Sequence, residues 1–195
     1  MKLQIKNAVS SKSLDFDTFL SNSVAKVENN LLTDKEIFDY TKLNIHRIKR
    51  ILRTYQPSEN IKTVIKKLNK DLIFLVITED WCGDSAQNLP YIYKISSLSS
   101  KIDLRILERD SNLDIMDLYL TNNSRSIPKL VCFDKEFNEL FQWGPRPIGA
   151  IELFKDLKAK GFEKHLIIEQ LHHWYALNKG IDIENEFETL INKSL

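Results

Sequence analysis

Five consecutive residues, Trp81-Cys82-Gly83-Asp84-Ser85, bring together a thiol, a glycine, a carboxylate and a hydroxyl between an apolar run and a helical stretch. The reactive form of cysteine is the thiolate, whose pKa in a free side chain is about 8.5. At the first turn of a helix, unpaired backbone N–H groups and the helix dipole favour that anion. Gly83 lets the backbone come close, and the Ser85 hydroxyl stands where it can donate a hydrogen bond to sulfur. Glu79, Asp80 and Asp84 work the other way, because a second negative charge beside carboxylates is disfavoured. The expectation is a moderately activated thiol, able to attack a disulfide and form a mixed disulfide, with the sign of its net pKa shift left open.

Other candidates carry less. Cys132 lies within Leu130-Val131-Cys132-Phe133 and reads as a small hydrophobe of the core, with a resolving role as the alternative. His172 and His173 are adjacent, so on a helix they point in different directions and do not form a metal pair; His46 and His165 have no partner at ligand spacing. No metal site and no cofactor are expected. Arg146, in Trp143-Gly144-Pro145-Arg146-Pro147, reads as an exposed arginine on a rigid turn or as a ligand for a carboxylate or phosphate near the active face. No phosphate-binding glycine loop, dinucleotide fingerprint or Ser/His/Asp set is present.

Composition narrows the classes further. With 43% hydrophobic and 28% charged residues the chain has the balance of a soluble globular protein. Its net charge of +1 gives no general attraction to nucleic acid or an anionic membrane, so neither is expected as a partner. The densest basic stretch, Lys42 to Arg53 with His46, Arg47, Lys49 and Arg50, interleaves Leu43, Ile45, Ile48, Ile51 and Leu52 and reads as the solvated face of a helix. Met1 to Ser10 lacks the apolar run of roughly 7–15 residues that secretion requires. Leu72 to Ile77 falls far short of the roughly 20 residues of a membrane span. With only two cysteines and no disulfide framework, a reducing cytoplasm is the expected setting.

The elements that must position Cys82 can be read from periodicity. Ser13 to Leu32 has apolar residues at helical spacing, and Thr33-Asp34-Lys35-Glu36 offers a capping box for a helix running to Leu43 or beyond. Glu59 to Leu68 reads as a third helix after Pro57. Leu72 to Ile77, continuous and rich in branched residues, is the pattern of a strand buried on both faces. A helix to about Leu98 and a strand over Ile102 to Leu107 complete a βαβ unit, so these two strands should be parallel. Asn112 to Leu120 reads as a helix, Lys129 to Phe133 and Glu139 to Trp143 as an antiparallel hairpin, and Ile148 to Lys160 as a closing helix. The tail from Glu163 is helical, with Leu166, Ile167, Leu171, Trp174 and Leu177 as its packing stripe.

This order from Leu72 to Lys160, with Trp81-Cys82-Gly83 after a buried strand, Pro90 inside the following helix and Ile127-Pro128 before the third strand, resembles thioredoxin over about 90 of the 195 residues. It is closer still to bacterial thioredoxin-like proteins that carry Trp-Cys-Gly-Asp-Ser, a CxxS motif, with helical extensions. The resemblance implies an α/β thioredoxin-like fold, a central mixed sheet flanked by helices, at residues 71–161. A helical N-terminal extension at 1–70 and a C-terminal one at 162–195 packing on that domain would flank it. It also implies a cis peptide at Pro128, an Ile127 backbone presented to an extended substrate, and Trp81 as an apolar wall beside the sulfur.

Two departures redirect the chemistry. Ser85 stands where thioredoxins have the resolving cysteine, and Val76 where they commonly have a buried acid. Cys82 and Ser85 are therefore the expected catalytic residues of a monothiol thiol–disulfide oxidoreductase, with Trp81, Gly83, Asp84, Ile127 and Pro128 facing the substrate. The partner would be a disulfide-containing protein or a low-molecular-weight thiol, and an external thiol would resolve the mixed disulfide. The alternative is a non-catalytic thioredoxin-fold module that binds a protein partner. Oligomeric state, and whether the helical flanks cover the active face, are left open.

Overall fold

A computed structural model describes residues 1–195. The N-terminal third is helical: α1 (Lys2–Ser11), α2 (Phe16–Glu28), α3 (Lys35–Thr54) and α4 (Glu59–Lys66). Three of these start on side-chain caps, Asp15, Asp34 and Ser58, each accepting backbone N–H groups of its first turn. There follow β1 (Leu72–Thr78), α5 (Gly83–Ser96), β2 (Ile102–Glu108), α6 (Leu113–Met116), β3 (Lys129–Asp134), β4 (Glu139–Trp143), α7 (Ile148–Ala159), α8 (Lys164–Asn178) and α9 (Ile181–Asn192).

The four strands form one mixed sheet in the order β2-β1-β3-β4. β1 runs parallel to β2 and antiparallel to β3, and β3 and β4 form the antiparallel hairpin. This is the thioredoxin-like α/β architecture with helical extensions that the sequence predicts. β1 is buried on both faces, and its alternation sorts the core. Phe74 and Val76 join the larger cluster with α4, α5 and α9, while Leu75 and Ile77 join a second cluster with α1 and Cys82. The larger cluster runs without a break from Phe16 and Ile61 through the sheet to Phe187, so the flanking helices share the core of the sheet.

Local readings differ from the structure in four places. α1 is an additional helix, seated by Ile5, Ala8 and Val9; with Leu3 exposed, its four apolar positions in ten residues give too weak a periodicity to read. Leu14 lies outside α2 and forms a bridge with Ile106. The helix read from Asn112 to Leu120 is a single turn, α6, leading into turns. The tail is two helices, broken where Lys179 and Gly180 both take positive φ, 52° and 87°, a left-handed cap that glycine adopts without a side-chain penalty. A Cβ on Gly180 would also lie 2.3 Å from the Tyr91 ring. The packing stripe within α8 also differs: Ile167, Leu171 and Tyr175 are buried, whereas Leu166 and Leu177 are exposed.

Candidate functional site

Cys82 is the N-cap of α5, so its sulfur sits at the first turn of a helix buried across the sheet. Pro90 lies inside that helix, as the sequence predicts, and withholds one backbone donor there. The Cys82 Sγ donates to the Ile127 carbonyl at 3.5 Å, and the Ile127-Pro128 peptide is cis. The Trp143–Pro147 segment buttresses this loop, since a Cβ on Gly144 would fall 2.3 Å from the Pro128 carbonyl oxygen.

Burial pushes the Cys82 thiol above its ordinary pKa, and the Asp84 carboxylate adds to that rise. The Ser85 hydroxyl and the backbone N–H groups of Ser85 and Asp84 pull the other way, and they are outweighed. The shift that the sequence left open is therefore upward. Ser85 is buried and shares a short hydrogen bond with Thr78 Oγ1, which holds its hydroxyl under the first turn of α5.

Asp84 is tied to three other side chains. It pairs with Arg146 at 2.6 Å and accepts from the Tyr175 hydroxyl at 2.9 Å, while its backbone carbonyl accepts from Asn88 Nδ2 at 2.8 Å. Arg146 also stacks over Phe154 at 4.7 Å. It lies beside the first turn of α5, held within the chain, and is not an exposed turn residue. Replacing Asp84 with asparagine removes a charge that raises the Cys82 pKa and frees Arg146 beside the sulfur. Iodoacetamide should then alkylate Cys82 several-fold faster near neutral pH, with its pKa displaced downward. Lost bonds to Arg146 and Tyr175 should cost about 1–3 kcal/mol, read by urea unfolding.

The helical flanks cover the end of α5 that carries Cys82. From α3, Asn44 Nδ2 donates to the Asp80 carbonyl at 2.9 Å, and Arg47 reaches over Gly83. From α8, His172 packs on Gly83 so closely that a Cβ there would lie 3.2 Å from its Cε1. The His172 Nδ1 is 3.3 Å from Gln87 Nε2. Burial, with Arg47 helping, lowers the His172 pKa to about 4, so the imidazole is neutral near pH 7. Between these walls and the α5 terminus lies a cavity of about 490 Å³, with Trp81, Cys82, Gly83 and Asp84 on its lining. Ser85, Ile127 and Pro128 lie behind the sulfur and do not line it. A larger cavity of about 790 Å³, between α3, α8 and α9, contains no thiol.

Arg47, His172 and Tyr175 are the site residues that sequence reasoning missed. The basic stretch of α3 is solvated at Lys42, His46, Lys49 and Arg50, but not at Arg47, one turn beyond Asn44 on the face turned toward Gly83. Cys132 is fully buried on β3 in the larger cluster, with its pKa pushed up by burial. Both cysteines are free thiols and lie in different clusters. No group of three His, Cys, Asp or Glu side chains could hold a metal ion, and no helix is long and apolar enough to cross a membrane.

Glu79, buried behind the motif, accepts from the Asp110 N–H at 2.7 Å. Burial raises its pKa from 4.5 to about 7, with Asp110, Glu108 and Asp80 adding to the rise. The folded state therefore holds this proton more tightly than the unfolded chain. Its stabilising contribution is full below the unfolded pKa and is lost as pH rises through about 7. Glu79→Gln should raise Tm relative to wild type at about pH 8 and lose that advantage at about pH 4, in paired thermal melts.

A cysteine at the N-terminus of a helix crossing a mixed sheet, set against a cis-proline loop, defines a thioredoxin-like protein. The sequence model described as thioredoxin matches residues 31–158, and the chain belongs to that family. The match begins ahead of α3, so it takes in two of the four N-terminal helices. A protein of unknown function from Pseudomonas aeruginosa superposes with a TM-score of 0.64 at 17% identity, over 94% of each chain. An HIV epitope-scaffold does so at 0.61, with the same identity and coverage. At such identity the likeness is one of fold, and it extends over the helical flanks as well as the sheet. The N-terminal domain of alkylhydroperoxide reductase AhpF from Enterococcus faecalis overlaps 51% of this chain and 47% of its own, at 20% identity and a TM-score of 0.40. No curated protein matches the sequence.

Proposed function

We propose that this protein is a monothiol thiol–disulfide oxidoreductase of CxxS type, acting through a mixed disulfide on Cys82 that an external thiol resolves. The observation that carries this reading is the placement of the sulfur. Cys82 Sγ lies at the first turn of α5, against the Ile127 carbonyl and on the lining of a cavity, with a serine in place of a second thiol. In the exchange the Cys82 proton leaves to solvent and the thiolate attacks one sulfur of the disulfide. The substrate S–S bond breaks as the Cys82–sulfur bond forms, and the departing thiolate takes up a proton. A second thiol then attacks the adduct, leaves joined to the substrate sulfur, and restores Cys82. Ser85 assists by favouring the thiolate through its hydroxyl, and it cannot close a disulfide with Cys82.

In this reading the thioredoxin-like domain spans residues 71–161. The extensions at 1–70 and 162–195 wall its active face, and the unpaired thiols suit a reducing, cytoplasmic setting. The test is mass spectrometry of the folded protein after exposure to an oxidised small thiol. One adduct per chain on Cys82 is expected, forming slowly near neutral pH, faster as pH rises, and reversed by free thiol. An unmodified Cys82 across that range counts decisively against exchange. It would favour the second reading, a non-catalytic binding module, for which the burial of Cys82 and its raised pKa speak.

A further inference from the structure

We propose that the cavity over Cys82 selects small disulfides bearing a carboxylate, with Arg47 as the residue that anchors the anion. The inference rests on the exchange reading of Cys82 and names the substrate class for it.

Access comes first. Cys82 is only 9% exposed, and the space reaching it is about 490 Å³, walled by α3 and α8. That volume is ordinary for a small-molecule site. A disulfide on the surface of a folded protein would have to displace one of the two helices to reach the sulfur.

Charge comes second. Asp84 and Arg146 face the cavity but are spent on each other at 2.6 Å. Glu36 and Lys164 are exposed at its rim. Arg47 is different. It is half-buried and makes no salt bridge, and its only side-chain hydrogen bond is NH1 to Asn44 Oδ1 at 3.0 Å. Its NH1 lies 3.6 Å from where a Gly83 Cβ would be, next to the nucleophile. Burial and the neighbouring Arg50 lower its pKa, and the Asp84 charge, already paired with Arg146, offsets only part of that fall. The Nε of Arg146 is likewise buried without a hydrogen-bond partner. His172 is neutral there and adds no charge of its own. Trp81, Ile168 and Leu171 supply the apolar wall along which a short hydrocarbon chain would lie. A ligand carboxylate on Arg47 would hold a sulfur a few atoms away over Cys82.

The experiment measures rates of Cys82 modification by three disulfides of similar size: dithiodiglycolate (anionic), hydroxyethyl disulfide (neutral) and cystamine (cationic). Each rate is divided by that of a free model thiol under the same conditions, so that intrinsic reactivity cancels. The anionic reagent should exceed the cationic one by about tenfold or more, the factor one charge-assisted hydrogen bond carries. In Arg47→Gln the ratio of anionic to neutral rates should collapse toward unity, and in Arg47→Lys it should be largely kept. Equal normalised rates in wild type, or a ratio untouched by Arg47→Gln, would overturn the proposal while leaving thiol exchange standing. If no disulfide modifies the folded protein, exchange itself fails, and the anion site is then read separately. Thiodiglycolate, an unreactive thioether, is titrated into the Cys82→Ser protein while the Arg47 side-chain NMR signal is followed. Saturable shifts there sustain the anion site, and their absence overturns it.

Discussion

Replacing Cys82 with serine is expected to abolish adduct formation with small disulfides altogether, whereas Cys132→Ala should leave the adduct and its rate intact. The contrast follows from where the two sulfurs sit. Cys132 is fully buried on β3, opposite Phe74 and Phe141 in the strand registers, within the larger apolar cluster. Its pKa is raised by burial with no compensating hydrogen bond from a helix terminus. Cys82 is also raised, yet it lines a cavity and receives the Ser85 hydroxyl and two backbone N–H groups that stabilise the thiolate. Intact-mass spectra of the two variants beside wild type decide the matter. Persistence of the adduct in Cys82→Ser would place the chemistry elsewhere.

The largest effect on stability is expected from Phe187→Ala, at about 3–5 kcal/mol. Phe187 is fully buried on α9, and its ring meets Phe74 at 6.0 Å and Trp143 at 5.6 Å, both edge-on. It joins α9 to two strands of the sheet, so its removal leaves a ring-sized void between layers that cannot slide together. Domains are stable by only about 5–15 kcal/mol, so the loss is a large share of the total. Urea unfolding should show a much lower midpoint with an unchanged slope. A drop under about 1 kcal/mol would mean that the C-terminal helix contributes little to the common core.

The two substitutions test different layers of one arrangement, since the C-terminal segment both closes the core and walls the thiol. α9 seals the sheet through Ile183, Phe187 and Ile191. α8 holds the first turn of α5 through His172 and Tyr175. This explains why the thiol at the head of a helix is neither open nor acidic. The helices that complete the fold also take water away from the sulfur, and lost hydration raises a thiol pKa more than one helix terminus lowers it.

Much of this was legible in the chain itself wherever the signal is local. A strand buried on both faces declares itself in Leu72 to Ile77, because no exposed position needs a polar residue. Cys82 at the head of a helix, Pro90 within it and Pro128 before β3 follow from spacing alone. Ser85 already leaves Cys82 without a second thiol inside the motif. The same locality explains the errors. α1 carries too few apolar residues to show a period, and the helix read at Asn112 to Leu120 forms one turn before the chain is drawn into tight turns instead.

What only the tertiary structure decided is the environment of Cys82. Arg47 lies 35 residues before the thiol, Arg146 64 after it, and His172 and Tyr175 90 or more after it. No periodicity relates such positions. Their meeting depends on how α3 and α8 cross the head of α5, and on Lys179-Gly180 breaking the tail so that α9 can turn back onto the sheet. Local pattern determined that a single cysteine opens a helix. Packing between distant helices decided that this thiol is buried, raised in pKa, and reached through a small cavity with an unpaired arginine beside it.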